Sequence, residues 1–194
     1  MPFSDELHVM AAPRRAYAEA LGQPARGSWL AVRRPALVAL VLGTATGFSA
    51  TGHATIGLLV SGFVCWSFVP LLQMATAAAI MRSAASRSIP LGRRLDLWFM
   101  GHAPWSLWIV TAACILAAAP GGWRVELPIV VSAVIPIVWT SIIATAFCRV
   151  VFGDRPAAAR ARTAVHQALT WTIAFVYFAF AVALWPRVVA SLGG

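Results

Sequence analysis

Residues 56–80 of this chain, IGLLVSGFVCWSFVPLLQMATAAAI, contain no charged side chain. A helix needs roughly 20 apolar residues to cross about 30 Å of hydrocarbon, so this segment is long enough to span a membrane. The rest of the chain has the same character: 60% of its 194 residues are apolar, 11% are charged, and the mean hydropathy is +0.80. Soluble domains carry roughly 25% charged residues. The composition therefore excludes an ordinary soluble domain and a disordered chain.

Four further apolar segments have lengths close to that of a membrane span. They are residues 31–51, 97–119, 127–151 and 164–184. The sequence thus predicts an all-α, polytopic integral membrane protein with a bundle of five transmembrane helices. In this prediction the bundle is a domain of residues 31–187, after an N-terminal segment (1–30) and before a short external tail (188–194).

The arginines predict the orientation of the chain. All 15 basic residues are arginines, and all but Arg124 and Arg187 lie before or at the start of the first segment, between the second and third, or from the end of the fourth to the start of the fifth. By the positive-inside rule these loops are cytoplasmic, which places the N-terminus inside and the C-terminus outside. Because the cations lie in short blocks between apolar runs, the formal charge of +9 indicates the lipid bilayer as a partner and no nucleic acid. The Ala- and Arg-rich composition favours a bacterial inner membrane.

The N-terminal segment contains a predicted short amphipathic helix over residues 13–21. Pro13 would begin it and Gly22 would follow its end. Its Arg14, Arg15 and Tyr17 would suit an anionic headgroup surface, and an arm that binds a partner is the alternative.

Small residues predict how the first two spans meet. Ala39, Gly43 and Gly47 form a stripe at four-residue spacing, and Gly57 and Ser61 have the same spacing in the second span. In lipid, such small side chains let helix backbones approach closely. We therefore expect an antiparallel hairpin of these two spans, with a homodimer through the GxxxG stripe as the alternative.

Prolines occur inside three of the predicted spans. Pro70, Pro104 and Pro136 each lack the N–H that an interior helix position donates. Each can kink its helix. Three kinked helices could shape a cavity, although proline is also tolerated routinely in membrane helices.

The polar side chains within the spans gather towards the predicted cytoplasmic side. Gln73, His102, His166 and Gln167 could line a crevice that opens to the cytoplasm and binds a ligand. His102 and His166 could instead hold a haem, since histidines from two helices can ligate its iron. The competing structural interpretation gives His102 an interhelical hydrogen bond and His166 an interfacial position.

Residues at the edges of these spans receive structural interpretations. Asp96 would cap the N-terminus of the third span, and Trp98 would anchor it at the membrane interface. The deeper Trp105 and Trp171 would pack between helices or contact lipid. Hydrolase, metalloprotease and phosphate-loop motifs are missing from the sequence, so no catalytic residue and no metal ligand beyond the two histidines is assigned.

The segment RRLDLW at residues 93–98, followed by HAPW at 102–105, resembles the start of the third span in bacterial members of the YIP-domain family. That family consists of five-span membrane proteins with a cytoplasmic N-terminus. The resemblance implies a non-enzymatic protein that acts in membrane organisation or as an accessory to other membrane proteins.

Three functions follow as expectations. The first is a non-catalytic scaffold, accessory or assembly subunit, without a cofactor, that contacts other integral membrane proteins through its helices. The second is a small-molecule carrier or channel that uses the cytoplasm-facing crevice. The third is a redox subunit that binds haem b or a quinone.

Overall fold

The structure, a computed structural model, describes residues 3–23, 30–81, 89–119 and 122–192. Within these ranges the chain forms ten α-helices and one short 3₁₀ turn, and no strand. The helices are α1 (Phe3–Ala11), α2 (Pro13–Gly22), α3 (Leu30–Thr51), α4 (Ile56–Trp66), α5 (Phe68–Met81), α6 (Leu91–Phe99), α7 (Ala103–Ala118), α8 (Trp123–Ser132), α9 (Val134–Val151) and α10 (Pro156–Leu192). The 3₁₀ turn, Met100–His102, joins α6 to α7.

All five predicted apolar segments are helical. Among the described residues, three helical stretches are long and apolar enough to cross a membrane: Ile56–Met81, Leu91–Ala118 and Arg124–Val151. These stretches support a membrane protein. Each of them consists of two consecutive helices, so the predicted second, third and fourth spans are interrupted rather than continuous.

The interruptions coincide with the three prolines. They lie at Ser67, at Met100–His102 and at Ala133. Each precedes its proline by a few residues, where the missing proline N–H leaves a backbone carbonyl without its usual helical partner. The regular helix is therefore interrupted just before each of Pro70, Pro104 and Pro136, and the predicted kinks stay a prediction.

Helices α3 and α4 form a tight hairpin through glycine. A Cβ atom at Gly43 would lie 2.3 Å from the carbonyl carbon of Gly62, and one at Gly47 would lie 2.9 Å from the side chain of Leu58. The two backbones therefore touch, as the small-residue stripe predicts. Ala39 of the same stripe is buried. The close contact is made within the chain and leaves no room at Gly43 for a second copy.

The prediction for the facing helix is wrong. A Cβ at Gly57 would meet nothing within 4 Å, and Ser61 is exposed. Leu58 and Gly62 face α3 instead. They have the same four-residue spacing but lie one position further along, about 100° around the helix. The bulk of Leu58 fills the space above Gly47, so this register packs better than a facing stripe of small residues.

The N-terminal helices pack against the rest of the molecule. Helix α2 begins and ends almost where it was predicted, but α1 was not predicted. Tyr17 is 1% exposed and meets the ring of Phe147 edge-on, with 5.4 Å between centroids. Its predicted headgroup position is therefore wrong, although Arg14 and Arg15 are exposed. Residues 24–29 of the predicted segment 1–30 lie outside the described residues.

Hydrogen bonds also attach these two helices to the bundle. The indole Nε1 of Trp139 donates to the carbonyl of Met10 at 3.1 Å. Arg93 donates to the carbonyl of Ala20 at 2.6 Å. Burial of Tyr17 raises the pKa of its hydroxyl, so this side chain stays neutral at physiological pH. A short helix is marginal in isolation, and these contacts provide the missing stability.

Asp96 holds a buried ion pair rather than a helix cap. Helix α6 begins at Leu91, which places Asp96 inside the helix, where it is 2% exposed. Its carboxylate accepts hydrogen bonds from Arg34 and, at 3.2 Å, from Arg93. Arg34 is 6% exposed and also donates to Glu6 of α1 at 2.8 Å. The cap prediction is wrong because the helix starts earlier than the apolar run.

Two regions can be defined by burial. The first, called the packed end, is a cluster of buried side chains from α1, α2, α6 and the adjoining ends of α5, α9 and α10. It includes Val9, Ala16, Tyr17, Ala77, Met81, Leu97, Trp98, Phe99, Phe147, Cys148 and Ala159. The second, called the apolar belt, consists of large apolar side chains exposed on the remaining helix surfaces. It includes Ile56, Val60, Val64, Leu71, Leu107, Val110, Leu127, Val130, Val131, Val134, Ile135, Val138, Phe175, Val176 and Phe180.

Helix α10 is longer than predicted at both ends. It has 37 residues and runs from Pro156 to Leu192, through Pro186, where the fifth span was expected to end. One proline removes a single backbone hydrogen bond, which a long helix tolerates. The predicted external tail (188–194) is therefore helical as far as Leu192, and residues 193–194 lie outside the described part.

Candidate functional site

A cavity of about 220 Å³ lies inside the helix bundle. Its walls come from α3, α4, α5, α6, α7, α9 and α10, with Tyr17 of α2 also contributing. The helices that the prolines interrupt surround it, and residues at the first two interruptions line it: Trp66, Gly101 and His102; from the third, Thr140 lines it one turn after Pro136. The interruptions thus place side chains around a common space that straight helices would not leave.

The four polar residues that the sequence singles out all line this one cavity: Gln73, His102, His166 and Gln167. Ser106 lines it as well, whereas the described lining does not include Thr145. The hydroxyl of Thr145 donates to the carbonyl of Ser141 at 2.8 Å and lies 3.3 Å from the hydroxyl of Thr163. The structure therefore brings the predicted ligand residues together, and their binding of a ligand stays a prediction.

His102 and Gln73 are joined across the bundle. The Nε2 of His102 donates to the Oε1 of Gln73 at 2.9 Å. The imidazole also stacks on the ring of Phe99, with 4.6 Å between centroids. The predicted interhelical hydrogen bond of His102 is confirmed. Because the oxygen of the Gln73 side chain is the acceptor, this bond fixes the orientation of its amide group.

His166 is deeply buried, contrary to its predicted interfacial position. It is 4% exposed and meets Trp98 edge-on, with 4.6 Å between ring centroids. Helix α10 begins at Pro156, so His166 belongs to its third turn and faces the bundle. Its Nδ1 has no hydrogen-bond partner among the described residues. Buried polar atoms are normally paired, so this nitrogen marks the cavity as a place where a partner can bind.

Gln167 lies beside His166 and is fixed by an aromatic neighbour. The indole Nε1 of Trp171 donates to the Oε1 of Gln167 at 3.1 Å. Trp171 also contacts Trp105 of α7, with 5.5 Å between ring centroids. Both tryptophans line the cavity, so their packing between helices also shapes the site.

Some lining residues could not be recognised from the sequence as site residues. Trp98 was expected at the membrane interface but is 5% exposed and lines the cavity, together with Tyr17. The neighbouring sequence does not indicate this position for either residue. Tyr17 reaches the cavity because α2 packs on α9, and Trp98 because α6 packs on α9. Asp, Glu, Lys and Arg do not occur among the described residues that line the cavity. The site is therefore aromatic and polar but uncharged.

The same geometry bears on the haem alternative. His102 and His166 do line one cavity, but the Nε2 of His102 is engaged by Gln73. Among the described residues, no group of three or more His, Cys, Asp or Glu side chains could hold a metal ion. A haem ligated through the Nε2 of His102 would need the His102–Gln73 bond to break.

No protein-family model, curated protein or solved structure matches this chain.

Proposed function

We propose that this protein is a five-span membrane protein, with its N-terminus in the cytoplasm, that binds a small uncharged molecule in the cavity of its helix bundle. The topology is supported by the arginines. Arg33 and Arg34 near the start of α3, Arg93 near the start of α6 and Arg149 near the end of α9 lie on the same side of the bundle as the packed end. The packed end is then the cytoplasmic side, in agreement with the positive-inside rule. Such a bundle suits the bacterial inner membrane and the YIP-like layout.

The observation that carries the proposal is the lining of the cavity. Binding sites for small molecules are mostly apolar, with a few polar groups that fix orientation. Here aromatic walls surround Gln73, Gln167 and His166, and the Nδ1 of His166 has no partner among the described residues. Leaving a buried polar group unpaired destabilises a fold, so such a group favours a ligand that completes it.

The structure favours binding over the scaffold function that the sequence first suggested. The small-residue stripe is the feature best suited to helix contact with another protein. Gly43 of that stripe already touches Gly62 of the same chain.

The test compares two alanines of α10. Ala174 lines the cavity, and Ala168 is exposed on the outer surface. Wild type, Ala174→Phe and Ala168→Phe are purified in mild detergent, and small molecules are extracted and measured by mass spectrometry. We expect a molecule, present in about equimolar amount, that is retained by Ala168→Phe and lost from Ala174→Phe. Equal content in all three folded proteins would refute the cavity as the binding site.

The topology has its own test on the same helix. Arg160 and Arg187 are both exposed and lie near opposite ends of α10. In a background without the native cysteines, a charged maleimide should label Arg160→Cys only from the cytoplasmic side and Arg187→Cys only from the outside. Labelling of both from one side would contradict the five-span topology.

A further inference from the structure

The two glutamine amides that line the cavity keep N–H donors for a further partner, and the Nδ1 of His102, an acceptor because Nε2 donates, is also without a partner among the described residues. A glutamine amide offers one oxygen acceptor and two N–H donors. The Oε1 of Gln73 already accepts from His102, and the Oε1 of Gln167 already accepts from Trp171. Each amide therefore keeps its NH₂ group for another partner. The neutral imidazole of His166 can supply one further N–H at the same cavity.

This donor pattern restricts the chemistry of the ligand. A phosphate, a carboxylate or an amine would have to lose its hydration without a charged partner in the described lining, which is strongly unfavourable. An uncharged molecule with carbonyl oxygens would instead accept hydrogen bonds from the amides. Two amides on different helices, α5 and α10, suit a ligand that carries two acceptors on separate sides.

The walls restrict the shape of the ligand. Trp98, Trp105 and Trp171 line the cavity, and flat aromatic surfaces pack well against flat rings. The volume of about 220 Å³ is below the roughly 300–1,000 Å³ of pockets that enclose a whole drug-sized ligand. The cavity therefore accommodates one ring and its substituents, and any long chain must leave it.

An exit towards the apolar belt is marked by two aromatic residues. Trp66 and Phe178 both line the cavity, with 5.9 Å between their ring centroids. They lie on helices that carry exposed belt residues, Val64 at 62% and Phe180 at 63%. The two rings are in contact with each other, but Phe178 is also 39% exposed, so the cavity reaches the bundle surface beside this ring, and an apolar chain that leaves there would continue into lipid.

We infer that the ligand is a lipid-soluble quinone, whose ring and two carbonyl oxygens lie in the cavity and whose hydrocarbon tail leaves past Trp66 and Phe178. This inference rests on the proposed function, because it names the molecule that the cavity binds. The carbonyl oxygens accept hydrogen bonds from the amides of Gln73 and Gln167. The site binds the quinone as it is, and no electron transfer is part of the inference.

The experiment measures binding of decylubiquinone to the purified full-length protein in lipid nanodiscs. Quinones quench tryptophan fluorescence, and several tryptophans line the cavity, so a saturable quench reports on binding. The variants are the double substitution Gln73→Leu with Gln167→Leu, and the control Gln23→Leu, an exposed glutamine at the end of α2. Loss of two hydrogen bonds should weaken binding, so the Kd of the double variant should be at least about tenfold higher than that of the wild type. Gln23→Leu should bind like wild type.

A second measurement on the wild type keeps the inference testable if the double variant does not fold. Decylbenzene has a similar ring and tail but no carbonyl oxygen, and it should compete with decylubiquinone at least tenfold less well. Equal competition would overturn the inference, as would unchanged binding in a folded double variant. If decylubiquinone shows no saturable binding while Ala174→Phe still loses a bound molecule, the quinone is wrong and the proposed function remains. If neither experiment finds a bound molecule, both fail.

Discussion

The packed end and the apolar belt share the helices α5, α9 and α10 but are stabilised in different ways. At the packed end, side chains such as Phe147 and Leu97 are fully buried, and a network of charges around Arg34 and Asp96 ties three helices together. In the belt, Val130 and Phe175 are about two-thirds exposed, and the neighbouring α3–α4 hairpin is held by the backbone contact of Gly43 with Gly62. The first pattern is that of a soluble core, and the second is that of helices in lipid.

The difference shows that one chain can use two kinds of stabilisation on the two sides of a cavity. Burial of apolar surface stabilises a fold where water is the alternative. In lipid that drive is weak, and close backbone packing replaces it. Truncating a large apolar side chain should therefore destabilise the protein at the packed end and have little effect in the belt. Enlarging a small residue should have its greatest effect where two backbones touch.

The largest effect is expected at the glycine contact. Gly43→Leu places side-chain atoms where the backbone of Gly62 lies, 2.3 Å from the position of the new Cβ. Helices α3 and α4 would have to separate. We therefore expect the free energy of unfolding to fall by more than the about 1–3 kcal/mol of ordinary overpacking. Gly57→Leu is the control, since nothing lies within 4 Å of its Cβ position. Size-exclusion chromatography and thermal unfolding in detergent measure both, and equal behaviour would exclude the close hairpin.

The ion pair at the packed end should give the next effect. Arg34→Met leaves the carboxylate of Asp96, which is 2% exposed, without its main partner, and should destabilise the protein by about 3–5 kcal/mol. The double variant Arg34→Met with Asp96→Leu should recover part of this loss, because the most deeply buried carboxylate of the network is then removed. Arg14→Met, at an exposed position, is the control. A double variant less stable than the single one would show that the pair itself is strongly stabilising.

Two phenylalanines compare the regions directly. Phe147 is 0% exposed at the packed end, and Phe175 is 67% exposed in the belt. Phe147→Ala should cost about 3–5 kcal/mol of unfolding free energy, since a cavity replaces the ring. Phe175→Ala should change it by less than about 1 kcal/mol, because in the proposed five-span topology lipid covers that position in the folded and the unfolded protein alike. Reversible denaturation in mixed micelles provides the comparison, and similar losses would contradict the division into two regions.

The smallest effect is expected on the outer surface of the packed end. Arg15 donates a hydrogen bond to Glu19 at 2.7 Å, and this bond lowers the pKa of the Glu19 carboxyl. A lowered pKa means that the pair stabilises the fold at neutral pH and that this stabilisation is lost as the pH falls below the usual range of glutamate, about 4.3. Glu19→Gln should therefore lower the unfolding midpoint slightly at pH 7 and not at pH 3. Because both groups are exposed, added salt should remove the difference.

The fold was predictable from the sequence where the signal is local. The apolar segments, the prolines and the Gly43 stripe each describe a single helix, and each leads to a correct feature. The four polar cavity residues were found for the same reason: they are rare in apolar segments. Predicting which face of α4 meets α3 requires knowing how Leu58 fills the space above Gly47, and that depends on both helices together.

The features that sequence reasoning missed all depend on distant parts of the chain. Arg34 and Asp96 are 62 residues apart, and no local pattern pairs them. Tyr17 is amphipathic, so a headgroup position and a buried position fit it equally well until α2 is placed on α9. His166 was expected at the interface because the polar residues before it hid the early start of α10. In each case the tertiary partner, not the residue type, decides the position.

The length of α10 has a mechanical consequence. At 1.5 Å per residue, its 37 residues extend for about 55 Å, far more than the about 30 Å of bilayer hydrocarbon. Its first turns belong to the packed end, and its later turns carry Phe175 and Phe180 of the belt. One uninterrupted helix thus runs beside three interrupted helical stretches. We expect a movement at the interruptions to change the space between the three interrupted spans, while α10 keeps the distance between the two ends of the bundle constant.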